Sequence, residues 1–285
     1  MPDSARKEMP MIGIGTWEMK SEVTLEDVIR TGLETGYRLI DTAQVYGNEG
    51  SIGRILEKVL PELGLTREDI FITSKLSPSN AGVKKATSSV IKSLEKLKTD
   101  YLDLLLIHWP GSRLKSEDEG NRILRRESWE ALTDLMQQGK LREIGVSNFE
   151  VKHLEELKSF SNVLPAVNQV EFHPHFHQIE LLKYCRENQI KFQAYSSLGS
   201  PNYREKLFED HQVQRLAKKY DVSVPVFLLA WAYSQKIGVL PRTSNKSHVI
   251  ENYNCIKIHI SQEDIDILLY NDKEKKTCWD PRVVI

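Results

Sequence analysis

Gly36-Tyr37-Arg38-Leu39-Ile40-Asp41-Thr42-Ala43 and Leu102-Asp103-Leu104-Leu105-Leu106-Ile107-His108 are the stretches whose reading decides the fold. In each, a short apolar run ends on a polar side chain suited to chemistry. The pattern recurs in Phe71-Ile72-Thr73-Ser74-Lys75, in Ile144-Gly145-Val146 before Ser147-Asn148, and in Val167-Asn168-Gln169-Val170-Glu171. It recurs again in Phe192-Gln193-Ala194 before Tyr195 and in Gly238-Val239-Leu240-Pro241 before Arg242. With a first run from Met11 to Thr16 there are eight such segments. Nearly continuous apolar runs of this length are the signature of parallel strands covered by helices. Parallel strands would deliver all the terminal polar groups to one end of one sheet, the end at which α/β barrels build their active sites.

The segments between the runs read as helices. Thr24 is the expected N-cap of the first, with Asp27 three residues on and Leu25, Val28, Ile29 and Leu33 along one face. Further helices are expected over about 51–59, through Val83, Val90, Ile91, Leu94 and Leu97, and through Trp129, Leu132, Leu135 and Met136 up to Gly139. Val151, Leu154 and Leu157 mark the next, followed by 178–187, a helix with Val213, Leu216, Ala217 and Tyr220, and then 226–234, 247–252 and 262–269. Pro110 to Arg126 is long and charged and is expected to be a surface loop beside the site, and Ser196 to Tyr203 is rich in turn residues. Eight strands alternating with helices predict a (β/α)8 TIM barrel of the α/β class, one domain over residues 1–285.

Composition narrows the function. The 285 residues carry a net charge of -1 and are 40% hydrophobic, enough for a large core and without the basic excess that nucleic acid or an anionic membrane would attract. The three cysteines are far apart, which fits a reducing compartment. The polar start Met1-Pro2-Asp3-Ser4 is unlike a signal peptide, and the longest apolar stretch, Val222 to Tyr233, is too short to span a bilayer. A cytoplasmic protein without nucleic-acid or membrane partners is expected.

Asp41 and Tyr46 lie on one short segment, and the neighbouring strands supply Lys75 and His108. Together they suggest protonation of a substrate oxygen. A phenol has a reference pKa near 10, too high for an efficient acid at neutral pH. An adjacent ammonium favours the phenolate, so Lys75 is expected to lower the pKa of Tyr46 while Asp41 holds the ammonium in place. His108 can donate a hydrogen bond that orients a carbonyl oxygen.

These residues carry a resemblance to the aldo-keto reductases over nearly the whole chain. Its motifs are Gly36 to Ala43 with Tyr46, Asn48, Glu49 and Gly53; Ile72-Thr73-Ser74-Lys75; Tyr101 to Leu104 through His108-Trp109-Pro110; Gly139 to Phe149; Asn168-Gln169-Val170-Glu171; and Pro241-Arg242-Thr243 with Glu251-Asn252. The resemblance implies an NADPH-dependent reductase of aldehydes and some ketones. Asp41, Tyr46, Lys75 and His108 match the family's catalytic tetrad, with Tyr46 as general acid. Ser147, Asn148 and Gln169 match the nicotinamide carboxamide site, Tyr195 the ring that stacks on the nicotinamide, and Ser196, Leu198 and Ser200 the loop over the pyrophosphate. Trp17 and Trp109 match walls of the substrate pocket beside Tyr46 and His108. Thr16, Trp17, Arg242, Thr243, Ser244, His248, Glu251 and Asn252 complete the implied cofactor set, and a monomer is implied.

No Gly-x-Gly-x-x-Gly follows a strand, so the cofactor is implied by the resemblance alone. The usual Lys-Ser after the eighth-strand proline reads Arg242-Thr243 here, which keeps one cation and one hydroxyl for a 2′-phosphate, and a later arginine position reads His248. Two rival readings stand beside the reductase. His173-Pro174-His175-Phe176-His177 has alternating histidines that could ligate zinc in a metal-dependent barrel hydrolase. Some members of the family instead sense cofactor as subunits of membrane channels.

Overall fold

The computed structural model describes residues 8–285. Its strands form one eight-stranded sheet in chain order, every pair parallel. They are β1 Ile14–Gly15, β2 Leu39–Asp41, β3 Phe71–Leu76, β4 Leu102–Ile107, β5 Leu141–Ser147, β6 Val167–Glu171, β7 Lys191–Tyr195 and β8 Gly238–Val239. At the seam, Gly13 donates to the Val239 carbonyl at 2.9 Å and Val239 donates to the Met11 carbonyl at 2.8 Å, with Ile12 opposite Val239. This curled parallel sheet with helices between its strands fits an α/β barrel.

The helices are α1 Glu22–Thr35, α2 Glu49–Glu62, α3 Val83–Leu97, α4 Gly120–Gln137, α5 Val151–Phe160, α6 Ile179–Glu187, α7 Arg204–Phe208, α8 His211–Lys219, α9 Val224–Ser234, α10 Lys246–Tyr253 and α11 Gln262–Leu269. Most expected helices are present, with corrections at the edges. The cap of α1 is Ser21, whose hydroxyl accepts from the Thr24 amide, so Thr24 lies inside the helix. Glu119 precedes α4, which absorbs 120–126 of the segment expected to be loop. α7 was not expected; its five residues are too few for a periodic signal. Of the apolar residues that marked α3 in the sequence, Val83 and Ile91 are exposed.

Side chains alternate between the two faces of a strand, and this parity positions the site. A small buried cluster of Met9, Leu39, Phe71, Leu104, Leu106, Val167 and Leu240 is separate from the large core shared by strands and helices. Ile40 and Leu105, one residue out of step, belong to that larger core. Counting on by twos from the small cluster reaches Asp41 from Leu39, Lys75 from Phe71, His108 from Leu106, and Gln169 then Glu171 from Val167. The polar groups therefore form the next layers above an apolar floor, at the C-terminal ends of the strands.

Two glycines set the approach to this layer. Gly47 takes a left-handed φ of 73° and turns the chain after the 3₁₀ turn Gln44–Tyr46 into α2. Gly53 faces the end of α3, where a Cβ would lie 2.3 Å from the Lys96 carbonyl oxygen.

Candidate active site

Lys75 is the centre of the site. It is 1% exposed, and its ammonium donates to Asp41 Oδ1 at 2.5 Å, to the Thr42 carbonyl at 2.9 Å and to Tyr46 Oη at 3.4 Å. Three acceptors satisfy its three N–H donors, which is what makes a buried ammonium tolerable. The other Asp41 oxygen accepts from Gln169 Nε2 at 2.8 Å, and the same amide donates to Gln193 Oε1 at 2.8 Å. The Thr16 hydroxyl donates to the Asp41 carbonyl at 2.8 Å, and Asn48 ties Thr42 to the Thr16 carbonyl, so the loops after β1 and β2 are locked together.

Burial disfavours the Lys75 ammonium, but Asp41 and Tyr46 outweigh it and raise its pKa above the ordinary value. For Tyr46 the balance differs from the sequence expectation. Burial pushes the phenol up, and the opposing pull of Lys75 does not overcome it. The reason is geometric: the ammonium lies closer to Asp41 than to the phenol, and the carboxylate itself disfavours a phenolate. Tyr46 therefore holds its proton at neutral pH. His108 is held well below its usual pKa, first by burial and then by the Lys75 charge, so its imidazole is neutral. Its ring meets Tyr46 edge-on at 5.9 Å between centroids. Its buried Nδ1 has no partner among the described residues.

A second layer flanks this group. The Ser147 hydroxyl donates to the Gln169 carbonyl at 2.7 Å. Asn148, at a left-handed φ of 63° that Asn tolerates, donates to the His108 carbonyl at 3.0 Å and accepts from Tyr195 Oη at 2.7 Å. Gln169 Oε1 has no partner among the described residues, so an acceptor remains open at the centre. In the loop after β7, Ser196 and Gly199 close a turn, Leu198 and Ser200 are half-buried, and the buried Ser197 hydroxyl has no partner among the described residues.

The remaining cofactor candidates lie apart from the centre. Half-buried Arg242, just after β8, donates to the Trp17 carbonyl at 3.1 Å. Thr243 accepts from the Asn245 amide, Ser244 and His248 are exposed, and Asn252 is buried in α10. Glu251 accepts from the Ser223 hydroxyl, and Lys246 pairs with Asp27 at 2.6 Å. Trp17 is 45% exposed, more than a core aromatic would be. Trp109 stacks beside His108 and meets Trp279 edge-on at 4.7 Å.

Sequence reasoning missed Gln193, Glu171 and Trp279. Parity could have found the first two, because they lie in step with Tyr195 and Gln169 on their strands. No local signal places Trp279 near Trp109. Two of the three alternating histidines have other partners: His173 faces Glu171 at 3.2 Å, and His175 lies between Asp210 and Tyr203, each at 3.1 Å. Among the described residues, no three His, Cys, Asp or Glu side chains converge as a metal-holding group. Among the described residues, no helix is long and apolar enough to cross a membrane.

Known proteins are similar to this chain over nearly its whole length. The model of the aldo/keto reductase family matches residues 11–269. A glyoxal reductase of Bacillus subtilis is 36% identical, with 96% of this chain and 93% of the relative covered. Aldose reductase C of Dictyostelium discoideum is 35% identical over 95% of this chain and 88% of its own length. A crystal structure of an aldo-keto reductase complexed with NADPH superposes with a TM-score of 0.88 at 31% identity, covering 96% of this chain and 87% of that one. With the parallel sheet, the buried lysine and these likenesses together, the chain belongs to the aldo/keto reductase family, oxidoreductases acting on carbonyl compounds.

Proposed function

We propose that this protein reduces aldehydes and some ketones to alcohols with NADPH, using Tyr46 as general acid, within a single closed (β/α)8 domain over the described residues 8–285; the first seven residues of the domain expected over 1–285 lie outside the described residues. The observation that carries the reading is the buried Lys75 ammonium held between Asp41 and the Tyr46 phenol. The likeness to a structure solved with NADPH supports the choice of cofactor.

The residues present fit such a cofactor. Gln169 offers a free acceptor and the Ser147–Asn148 pair lies beside it, a donor and acceptor set suited to a carboxamide. The Tyr195 ring, fixed through Asn148, provides an aromatic face for a nicotinamide. Ser196, Leu198 and Ser200 would line the pyrophosphate, with the unpartnered Ser197 hydroxyl in the same loop. Arg242 has guanidinium donors beyond those given to Trp17 and Glu18, and Thr243 and Ser244 lie beside it as partners for a 2′-phosphate. Thr16, Trp17, His248, Glu251 and Asn252 complete the assignment.

When bound, the reduced nicotinamide supplies the hydride. The chain's own residues handle the proton. Neutral His108 and the Tyr46 hydroxyl point a carbonyl oxygen into the site, while Trp17 and Trp109 form apolar walls. As the carbonyl carbon is reduced, its oxygen becomes an alkoxide, a far stronger base than a phenolate. A raised phenol pKa therefore does not block transfer; it keeps the proton on Tyr46 until that moment. Lys75 then stabilises the phenolate. At an effective dielectric of about 20, charges at 3.4 Å attract by about 5 kcal/mol before desolvation is counted. Asp41 keeps the ammonium charged and aimed.

The test is NADPH oxidation with a panel of carbonyl compounds, comparing the parent with Tyr46→Phe. The variant is expected to lose roughly 10²–10⁴ in kcat while binding NADPH normally. Unchanged turnover would remove Tyr46 from the mechanism, and tight NADPH binding without turnover on any carbonyl would favour a cofactor sensor.

A further inference from the structure

The mechanism leaves one buried carboxylate unused. Glu171, the last residue of β6, is fully enclosed, and all of its side-chain partners except His173 come from the C-terminal tail. Its Oε2 accepts from Lys276 Nζ at 2.9 Å and from the Cys278 amide at 3.2 Å. Its Oε1 accepts from the Thr277 amide at 2.8 Å and the Thr277 hydroxyl at 2.5 Å, with His173 Nε2 at 3.2 Å. Lys276 is itself almost enclosed, 8% exposed at the side chain.

The histidine-rich segment after β6 extends this attachment. The Asn271 side chain donates to the Pro174 carbonyl at 2.8 Å, and the Lys275 amide donates to the His175 carbonyl at 2.6 Å. Lys273 pairs with Asp210, which also bonds His175. The far end of the tail is tied down elsewhere: the Val284 carbonyl meets His153 Nε2 at 3.0 Å, and the Ile285 amide donates to the Ser116 carbonyl at 3.1 Å. Between the two attachments Trp279 reaches Trp109, the neighbour of His108. Cys278 lies 3.8 Å from the Ser196 hydroxyl.

We infer that Glu171 is a positioning residue for the carbonyl substrate: its carboxylate clasps Lys276, Thr277 and Cys278, and so holds Trp279 against Trp109 as a wall of the pocket. The inference rests on the reductase reading of the site. It gives the alternating histidines a role as the dock for the tail. It also predicts a substrate-size dependence. A carbonyl bearing an aromatic ring contacts Trp279 and depends on the clasp, whereas a two- or three-carbon aldehyde sits at Tyr46 and does not.

The experiment compares the parent, Glu171→Gln, Trp279→Ala and the double variant. For an aromatic aldehyde, Glu171→Gln is expected to raise KM about three- to tenfold, the scale of one lost aromatic contact, with kcat held within about twofold. For a small aldehyde both constants stay within about twofold of the parent. The double variant is expected to match Trp279→Ala alone, because both changes remove the same wall. Hydrogen exchange on the cofactor-free protein should show faster exchange over 271–280 in Glu171→Gln and parental rates in β3 and β4. Equal KM increases for both aldehydes, additive effects in the double variant, or unchanged tail exchange would each overturn the proposal. If Glu171→Gln does not fold, Lys276→Met and Thr277→Val, each removing one arm of the clasp, are held to the same criteria. If no carbonyl compound supports NADPH oxidation by the parent, the reductase reading fails, and the exchange measurement still decides whether Glu171 holds the tail.

Discussion

Replacing Lys75 by Met separates what the buried charges do for stability from what they do for turnover. The methionine fills much of the lysine stem's volume but removes the ammonium. Asp41, 4% exposed, then keeps its carboxylate in the interior with Gln169 Nε2 as the side-chain donor left to it. Leaving one partner of a buried pair unpaired costs about 3–5 kcal/mol. For a chain of this length the unfolding entropy is on the order of 0.6 kcal/mol per kelvin, so the midpoint should fall by about 5–8 °C. Adding Asp41→Leu removes the stranded charge. The double variant should regain most of that loss, because apolar groups of similar volume replace a buried pair with little net penalty. Turnover should stay lost in both. Thermal unfolding followed by circular dichroism, alongside NADPH oxidation, reads the two effects. A midpoint shift under about 1 °C in Lys75→Met, or a double variant no more stable than the single, would refute the account of Asp41 as an enclosed charge held by Lys75.

Two further outcomes follow from the site. Arg242→Ala should weaken NADPH binding far more than NADH binding, read by fluorescence titration, because only the former carries the 2′-phosphate; equal losses would assign the selection elsewhere. His108 is held well below its usual pKa by burial and by Lys75, so a folded-state proton is disfavoured relative to the unfolded chain. Its contribution to stability is thus present above the unfolded value near 6.5 and is lost as pH falls below it. NMR of the imidazole should show a neutral ring from pH 8 down through 6, and a midpoint near 6.5 would contradict the enclosed geometry.

Much of this molecule was legible because period-two alternation and strand ends carry the information. β5, β6 and β7 fall where the apolar runs put them, and the groups at their ends converge because parallel strands leave no other direction. Three kinds of feature were not legible. Helix starts depend on a cap that competes with near neighbours, as Ser21 does with Thr24. The direction of the Tyr46 shift depends first on how deeply the folded chain buries the phenol, and then on the ammonium standing nearer the carboxylate than the phenol, neither of which spacing encodes. The Trp109–Trp279 contact joins segments far apart in the chain, and nothing near Trp279 in sequence marks it.

The bare Cα of Gly53 has a consequence at the phenol. Helix α2 leans so closely on the end of α3 that a methyl group at position 53 would overlap the Lys96 carbonyl and the Leu97 backbone. The helix would have to tilt away, and its first turn is joined through Gly47 to Tyr46. A change on the outer shell would thus act as a lever on the proton donor, altering the acid's aim without touching any residue that meets the substrate.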